Sequence, residues 1–333
     1  MKVIITGGAG FIGSNFVRYF LNLEPDSNVI VYDLLTYAGS LDNLSDVQDK
    51  IHFVKCDICD IQALSKIFEN TDVVFHFAAE THVDRSIYLP SSFIQTNVVG
   101  TYNLLEISKE KGVKLFVHIS TDEIYGSIEK GYVREDSPLN PSSPYSASKA
   151  SADLLAQSYF KTYGLPVIII RPSNNFGPYQ FPEKLIPLCI TQLLEEKPVP
   201  IYGKGLQMRD WIYVEDCCSG IYEIYKKGRP GEVYNLGAGN IKTNIDVVKK
   251  IIEIMQKPHK YIVKVKDRPA HDFRYAMNTD KLRKLGWKPL VSFEEGIYKT
   301  VDWYLKNREW WEKRKTSQDF QIHKKKVYGK VLM

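Results

Sequence analysis

The sequence predicts an α/β fold in which a doubly wound parallel sheet is followed by a smaller C-terminal α/β domain that binds substrate. Short β-branched runs alternate with longer amphipathic stretches in the first half of the chain, and a glycine-rich turn directly follows the first run. Beyond Arg171 this rhythm ends, and proline and glycine become frequent. Such alternation is typical of βαβ units, whose strands pair in parallel.

Six apolar runs supply the strands of the predicted sheet. Within each run the apolar residues follow one another almost without interruption, which is expected when helices cover both faces of a sheet. The runs occupy residues 3–6, 29–32, 51–54, 73–77, 115–119 and 167–170.

A helix is predicted between the fourth and fifth strands. Val98, Tyr102 and Leu105 recur at helical spacing, which places them on one face. Lys109 and Gly112 are typical of the last turn and the end of a helix.

A second helix is predicted after Pro141. Ser143 suits the N-cap, and Pro144 suits the first helical position. The spacing places Ala147, Ala150 and Leu154 on a shared face.

Two domains are expected from the 333 residues. The first covers residues 1–172 with a returning segment near 210–240, and the second covers 173–209 and 241–330. The later part also predicts strands at 233–236 and 261–265 and helices at 245–255 and 293–305.

Composition and charge exclude several classes of protein. Hydrophobic residues make up 44% and charged residues 25%, a balance that disordered and fibrous chains lack. We find no apolar stretch of membrane-spanning length and no signal peptide, and five cysteines, an odd number, do not form a disulfide framework. We therefore expect a cytoplasmic protein with no membrane partner.

The basic residues are concentrated at the end of the chain. The formal net charge is +5, but residues 304–333 hold nine basic and three acidic residues, or +6, so the rest of the chain is nearly neutral. We expect this basic tail to be a solvated charge cluster outside the motifs that carry chemistry, and we expect no nucleic-acid partner.

The glycine-rich turn predicts a Rossmann-type dinucleotide site. Residues 6–13 read Thr-Gly-Gly-Ala-Gly-Phe-Ile-Gly, where the first strand turns into a helix. Glycines there allow a tight turn and close approach of a pyrophosphate to the helix N-terminus. Asp33, twenty residues after Gly13, could accept both ribose hydroxyls of an adenosine and would repel a 2′-phosphate. These features favour NAD over NADP, with Asp57 close to the adenine.

A tyrosine and a lysine four residues apart predict an acid–base site. Tyr145 and Lys149 lie at the start of the second helix, so their side chains share one face. An ammonium beside a phenol favours the phenolate, which would let Tyr145 act as a base near neutral pH. Thr121, after the fifth strand, could hold a substrate oxygen.

Taken with the glycine motif, this arrangement resembles the extended short-chain dehydrogenase/reductase superfamily of nucleotide-sugar enzymes. Within it, nearly the whole chain is similar to the dTDP-glucose 4,6-dehydratases. The matching segments are residues 82–86, 119–126, 142–149, 174–175, 177–179, 181–187, 200–205, 209–216 and 267–271.

The pair Asp122 and Glu123 distinguishes this activity from that of related epimerases. A 4-epimerase only removes and returns a hydride at C4, whereas a 4,6-dehydratase must also take a proton from C5 and expel the C6 hydroxyl. Neighbouring carboxyls with separated pKa values can supply that acid and base. We assign Glu123 as the base and Asp122 as the acid. Because NAD is regenerated, the enzyme would be a lyase. The resemblance further implies that it supplies 6-deoxyhexose, such as rhamnose, for cell-surface glycans.

The resemblance also implies a homodimer, joined by helices that follow the fourth and fifth strands, and a set of binding residues. For NAD these are Gly7, Gly10, Phe11, Ile12, Gly13, Asp33, Leu34, Leu35, Thr36, Asp57, Ile58, Phe77, Ala78, Ala79, Thr81, Thr96, Tyr145, Lys149 and Asn175. For the nucleotide sugar they are Thr81, Thr121, Asn174, Lys184, Leu185, Pro200, Ile201, Tyr202, Arg209, Asn244, Arg268 and His271.

Other functions stay open at this point. A UDP-glucose 4,6-dehydratase, a nucleotide-sugar 4-epimerase or decarboxylase, and a non-catalytic dinucleotide sensor are the alternatives. Cys56 and Cys59 have CxxC spacing, but no second pair or flanking histidine completes a ligand set, so no metal site is predicted. His76 and His118 lie within apolar strands and are interpreted as core histidines.

Overall fold

The computed structural model describes residues 1–329. Residues 330–333, which include Lys330 of the predicted basic tail and the predicted end of the second domain, lie outside the described residues. The strands are β1 (Lys2–Thr6), β2 (Asn28–Asp33), β3 (Ile51–Lys55), β4 (Val73–His76), β5 (Leu115–Ile119), β6 (Val167–Pro172), β7 (Asn174–Phe176), β8 (Val199–Tyr202), β9 (Met208–Tyr213), β10 (Val233–Leu236), β11 (Ile241–Thr243) and β12 (Ile262–Val265).

Thirteen α-helices accompany the strands within residues 1–329. They are α1 (Phe11–Leu23), α2 (Ile61–Ile67), α3 (Val83–Tyr88), α4 (Pro90–Phe93), α5 (Thr101–Glu110), α6 (Pro144–Tyr163), α7 (Leu185–Leu194), α8 (Val214–Lys227), α9 (Asn244–Ile254), α10 (Asp280–Arg283), α11 (Phe293–Lys306), α12 (Arg308–Lys315) and α13 (Gln318–Tyr328). A π-helical segment, Ile94–Gly100, joins α4 to α5. Within the same residues, no helix combines the length and apolarity needed to cross a bilayer.

The central sheet has seven parallel strands in the order β3-β2-β1-β4-β5-β6-β10. Its first six strands follow the order 3-2-1-4-5-6 of dinucleotide-binding folds, so the predicted fold class is confirmed. All six predicted strands are present, and the register places Thr6 opposite Tyr32 on one side and His76 on the other. The carboxyl ends of the strands therefore meet at one edge.

Helices cover both faces of this sheet, as the uninterrupted apolar runs predict. One core contains side chains of α1 and α8, such as Phe16 and Ile221. The opposite core contains side chains of α2, α5 and α6, such as Leu64, Leu104 and Ala156.

A second core lies among the later elements. Strands β7, β9 and β11 form a three-stranded sheet, and β8 pairs with β12. Helices α7, α9 and α11 bury Ile190, Val248 and Ile297 there. The chain between these elements returns to the central sheet, because β10 adds to it beside β6.

The predicted face of the helix before β5 is wrong in one respect. Leu105 is fully buried, but Tyr102 is 44% exposed. The π-helical segment ends at Gly100, between Val98 and Tyr102. Its wider turns shift the phase of the residues that follow, so spacing counted across it does not predict one face.

Helix α6 begins as predicted. Ser143 is the N-cap, Pro144 takes the first position, and Ser143 and Ser146 form a reciprocal capping box. The predicted shared face is wrong, since Ala150 is buried whereas Ala147 is exposed and Leu154 is 56% exposed.

The predicted basic tail does not lie apart from the rest of the molecule. Helix α13 buries Phe320 and His323. The ring of Tyr328 stacks on Tyr202, with centroids 5.9 Å apart. The aromatic residues of this helix, interleaved with its lysines, dock it against the body.

Candidate active site

Two adjoining cavities lie at the carboxyl edge of the central sheet. The strand-end cavity is bounded by the glycine turn after β1, the ends of β2 to β6, and the first turns of α6. The loop cavity is bounded by α3, the start of α7, β8 and the loop after β12. Glu123, Asn174 and Lys184 line both cavities, so the two form one continuous site.

The glycine turn fits closely against its neighbours. Gly7 has a φ of 69°, and a Cβ there would lie 2.5 Å from the backbone nitrogen of Ala78. A Cβ on Gly13 would lie 2.2 Å from the carbonyl oxygen of Gly7. Gly10 forms the N-cap of α1 without a side-chain cap, so the first N–H groups of that helix face the strand-end cavity.

Replacing Gly13 with alanine should therefore reduce NAD affinity at least about tenfold, because the new methyl group must displace the phosphate-facing turn. Equilibrium dialysis of NAD measures the effect. Gly164→Ala is the matched control, since Gly164 has a φ of 69° in open space at the end of α6. The control should lose about 1 kcal/mol of stability and keep its NAD affinity. Equal affinity losses in both variants would contradict a special role for the turn.

Asp33 ends β2 beside this turn. Its Oδ2 accepts the N–H of Ala9 at 3.0 Å, and its Oδ1 accepts the N–H of Leu35 at 2.8 Å. Burial raises the pKa of the carboxyl, and the two N–H groups oppose that rise. Leu35 itself does not line the cavity, in contrast to its predicted contact with NAD. A φ of 58° at this residue accompanies a side chain packed against the core beside α1.

The other residues predicted to bind NAD all line the strand-end cavity. Those predicted for the nucleotide sugar line one or both cavities. The sequence prediction thus identified residues that are distant in the chain and adjacent in space. Their individual roles stay predictions.

The turn after β5 brings Thr121, Asp122 and Glu123 to the junction of the two cavities. Thr121 caps this 3-10 turn, because its Oγ1 accepts the N–H of Glu123 at 3.2 Å. The same hydroxyl donates to Oδ1 of Asp122 at 3.3 Å. Oδ2 of Asp122 is buried and has no hydrogen-bond partner within the described residues.

The two carboxyls lie in different electrostatic surroundings. Burial raises the pKa of Asp122 far above its ordinary value, and the charge of Glu123 adds to the rise. Burial also raises the pKa of Glu123, but the positive charges of Arg268, Arg209 and Lys184 oppose it. These surroundings favour the protonated form more strongly at Asp122 than at Glu123.

Tyr145 and Lys149 face the strand-end cavity from the first turns of α6. Burial raises the pKa of Tyr145, and nearby Glu123 and Asp122 raise it further. Burial lowers the pKa of Lys149 to about 8, although Asp153 opposes the change. The Lys149 ammonium donates to the carbonyl oxygen of Ile119 at 2.7 Å rather than to the phenol. The sequence predicted that the Lys149 ammonium would favour the Tyr145 phenolate, but the ammonium is anchored at the end of β5 and the pKa of the phenol is raised.

The three cationic side chains predicted to bind substrate differ in the contacts that they already make within the protein. Lys184 donates to the carbonyl oxygen of Thr81 at 3.0 Å. Arg209 donates to the carbonyl oxygens of Met208 and Asp272 at 2.8 and 2.9 Å, so part of its hydrogen-bonding capacity holds the loop after β12. Nη1 of Arg268 lies 3.6 Å from Oδ1 of Asp84.

His271 lies beside this cation group in the loop cavity. Its Nδ1 pairs with Oδ1 of Asp267 at 2.5 Å. Burial and the charge of Arg268 lower the pKa of the imidazole to about 4, so the ring is neutral near pH 7.

Several residues that line the cavities or support them escaped the sequence prediction. Asn97, in the π-helical segment, accepts the N–H of Glu80 at 2.8 Å and donates to its carbonyl oxygen at 3.0 Å, which fixes a strand-end loop. Glu183 lines both cavities and binds Arg85 at 3.0 Å. Tyr328 reaches the loop cavity from α13. For two of these residues, Arg85 and Glu183, the sequence did carry an indication, because they lie in the matching segments 82–86 and 181–187.

Known proteins share this architecture and sequence. The family model described as GDP-mannose 4,6 dehydratase matches residues 4–300. A dTDP-glucose 4,6-dehydratase of Shigella flexneri is 51% identical over 95% of this chain and 96% of that protein. The corresponding protein of Neisseria meningitidis serogroup B is 47% identical over 93% of this chain and 95% of its own length.

Solved structures agree. The dTDP-glucose 4,6-dehydratase of Streptomyces venezuelae, crystallised with NAD and TYD, superposes with a TM-score of 0.93 at 47% identity, covering 94% of this chain and 100% of that one. A UDP-glucose 4-epimerase of Thermus thermophilus, crystallised with NAD, has a TM-score of 0.86 at 31% identity, covering 92% and 100%. The chain belongs to the dTDP-glucose 4,6-dehydratase family, within the extended short-chain dehydrogenase/reductase superfamily.

Proposed function

We propose that this protein is a lyase that dehydrates dTDP-glucose to dTDP-4-keto-6-deoxy-glucose. The observation that carries the proposal is the placement of Asp122 and Glu123 in the same cavity as Thr121, Tyr145 and Lys149. The last three residues suit oxidation and reduction at C4, and the two carboxyls add the acid and base that loss of water requires.

NAD fits the strand-end cavity. The glycines leave no room for a Cβ where the pyrophosphate would approach, and the buried Asp33 carboxylate faces the same space. When bound, NAD accepts a hydride from C4 of the sugar and returns it at C6, so that no net oxidation occurs.

Each catalytic side chain has one task in this reaction. Tyr145 takes the proton of the C4 hydroxyl, and Thr121 holds the oxygen. The resulting ketone acidifies the C5 hydrogen, which Glu123 removes as a proton. Asp122 gives its proton to the departing C6 hydroxyl, which leaves as water. Return of a proton to C5 and a hydride to C6 completes the 4-keto-6-deoxy sugar.

The nucleotide part of the substrate suits the loop cavity. Lys184, Arg209 and Arg268 line it and carry positive charge, which favours a diphosphate. Tyr202 and Asn244 line the same cavity and offer ring stacking and amide hydrogen bonds to a base. We propose that these residues bind dTDP.

A product assay with two substrates tests the proposal. Purified protein is incubated with dTDP-glucose and, separately, with UDP-glucose, and products are identified by NMR. We expect a 4-keto-6-deoxy product, formed faster from dTDP-glucose. A C4 epimer as sole product would indicate an epimerase, faster reaction of UDP-glucose would overturn the nucleobase assignment, and no turnover with either would favour a dinucleotide sensor.

We also propose a homodimer joined through the helices after β4 and β5. Large apolar side chains on this side of the molecule are solvent-exposed, namely Leu89 (50%), Ile94 (49%), Tyr102 (44%) and Leu154 (56%). Apolar side chains grouped on one surface are typical of a protein–protein interface.

Leu154→Glu should therefore convert the dimer to a monomer, because the charge would have to be buried against the partner. Light scattering after size-exclusion chromatography measures the molar mass. Leu290→Glu is the control, since Leu290 is 75% exposed in the loop before α11. A Leu154→Glu variant that stays dimeric, or a wild-type protein that is monomeric, would contradict this interface.

Two further assignments stay proposals. The first is the division into a domain of residues 1–172 with a return near 210–240 and a domain of 173–209 and 241–330; it is supported by the separate cores around α1 and around α7. The second is the cytoplasm as the site of action, supported by five cysteines that are all free.

A further inference from the structure

Three side chains lie close together where helix α13 packs beside the start of α3. His82 and Asp84 flank the start of α3, and His323 lies in α13, about 240 residues later in the chain. One ligand atom of each lies within 4.8 Å of the other two. All three residues are buried, with exposures of 5%, 6% and 1% respectively.

Two imidazole nitrogens in this group lack partners. Nδ1 of His82 and Nε2 of His323 are buried without a hydrogen bond within the described residues. Buried polar atoms are ordinarily paired, so two unpaired nitrogens on neighbouring rings need an explanation. The two rings meet edge to face with centroids 4.6 Å apart, and Nδ1 of His82 lies 3.8 Å from Oδ2 of Asp84.

Hydrogen bonds in this region leave one nitrogen of each ring available to a metal ion, namely Nδ1 of His82 and Nε2 of His323. Nδ1 of His323 lies 3.1 Å from the hydroxyl of Tyr88, which fixes the ring from its far side. The carboxylate of Asp84 supplies negative charge, although its Oδ2 accepts the hydroxyl of Tyr202 at 3.1 Å and its Oδ1 lies 3.6 Å from Nη1 of Arg268, so a metal ion must compete with these two groups. Glu183 pairs with Arg85 nearby.

We propose that His82, Asp84 and His323 bind a divalent transition-metal ion of the Zn²⁺ or Co²⁺ type. Two imidazoles and one carboxylate are a common ligand set for such ions, with a further position left for water. Metal–ligand distances of about 2.0–2.2 Å bring ligand atoms to about 3.3 Å from one another, so the group contracts by up to about 1.5 Å on binding. The ion would fasten α13 to α3, and with it the Tyr328 ring that lines the loop cavity. Sequence analysis did not predict this site, because His323 lies about 240 residues from His82 and Asp84 and belongs to no motif.

Metal binding by the tag-free, chelator-treated full chain tests the proposal. Co²⁺ is titrated and followed by its visible d–d absorption, and Zn²⁺ stoichiometry is measured by calorimetry. We expect one ion per chain, and an affinity reduced at least about tenfold in His323→Phe and in Asp84→Asn. His52→Gln, at an exposed histidine of β3, should bind as the wild type does.

Hydrogen exchange supplies a readout independent of variant folding. Adding Zn²⁺ to the wild type should slow amide exchange in α13, and it should have no such effect in His323→Phe. Binding unchanged by the His323 and Asp84 substitutions, no Co²⁺ absorption in the wild type, or exchange in α13 that Zn²⁺ does not alter would overturn the site.

Discussion

Glu123→Gln should lower the rate of 4-keto-6-deoxy product formation by a factor on the order of 10³, because the base that removes the C5 proton is lost. Oxidation at C4 should persist, since Tyr145 and Thr121 are unchanged. The two steps are separated by following the absorbance of the reduced nicotinamide and the loss of deuterium from C5-labelled substrate. We expect the absorbance of the reduced nicotinamide to appear and the loss of deuterium from C5 to be absent.

The companion variant Asp122→Asn should retain exchange at C5 and lose expulsion of water, because only the acid is missing. Glu129→Gln is the control for both variants, since Glu129 is an exposed carboxylate in the loop after the same turn. A Glu123→Gln enzyme that dehydrates at the normal rate would show that another group is the base.

Tyr145→Phe should reduce C4 oxidation and dehydration together by a factor of about 10²–10⁴. Burial and the neighbouring carboxyls raise the pKa of Tyr145, so the fraction of phenolate in the wild type grows as the pH rises. The wild-type kcat/KM should therefore increase from neutral toward alkaline pH. In Tyr145→Phe this increase should disappear, because the titrating base has been removed.

The control for this variant is Tyr298→Phe, at a tyrosine that is 64% exposed on α11. It should keep both the rate and the pH profile of the wild type. A Tyr145→Phe enzyme whose residual activity still rises with pH would assign the titration to another group, and Lys149, with its pKa lowered to about 8, would be the first to examine.

The sheet was predictable because its strands are buried on both faces. The run at residues 115–119 coincides with β5, and the others differ from the observed strands by one or two residues at an end. Shorter strands such as β7 and β11, with three residues each, carry no apolar run that sequence periodicity could detect. The predicted buried face of α5 was wrong for a different reason, because a π-helical segment interrupts the helical spacing on which that prediction was based.

The site was predictable where chemistry follows a motif at a strand end. Asp33, Thr121 and Tyr145 belong to such motifs, and they line one cavity. A sequence motif does not show which group a side chain in a loop or at a helix start contacts. The packing of Leu35 away from the cavity and the hydrogen bond from Lys149 to Ile119 could therefore be seen only in the structure. Tyr328 was missed because it belongs to no motif and approaches from the far end of the chain.

The π-helical segment has a consequence for which changes of length this region can accept. Each α-helical residue advances the direction of a side chain by about 100°. Because its turns are wider than those of an α-helix, the segment holds about one residue more than a regular helix of the same rotation. Deleting one residue between Ile94 and Gly100 would therefore restore a regular helix and leave Tyr102 on the outer surface and Leu105 in the core. Asn97 would at the same time lose its hold on Glu80. We therefore expect a related protein that is one residue shorter here to lack the π-helical turns and to keep the buried face of α5.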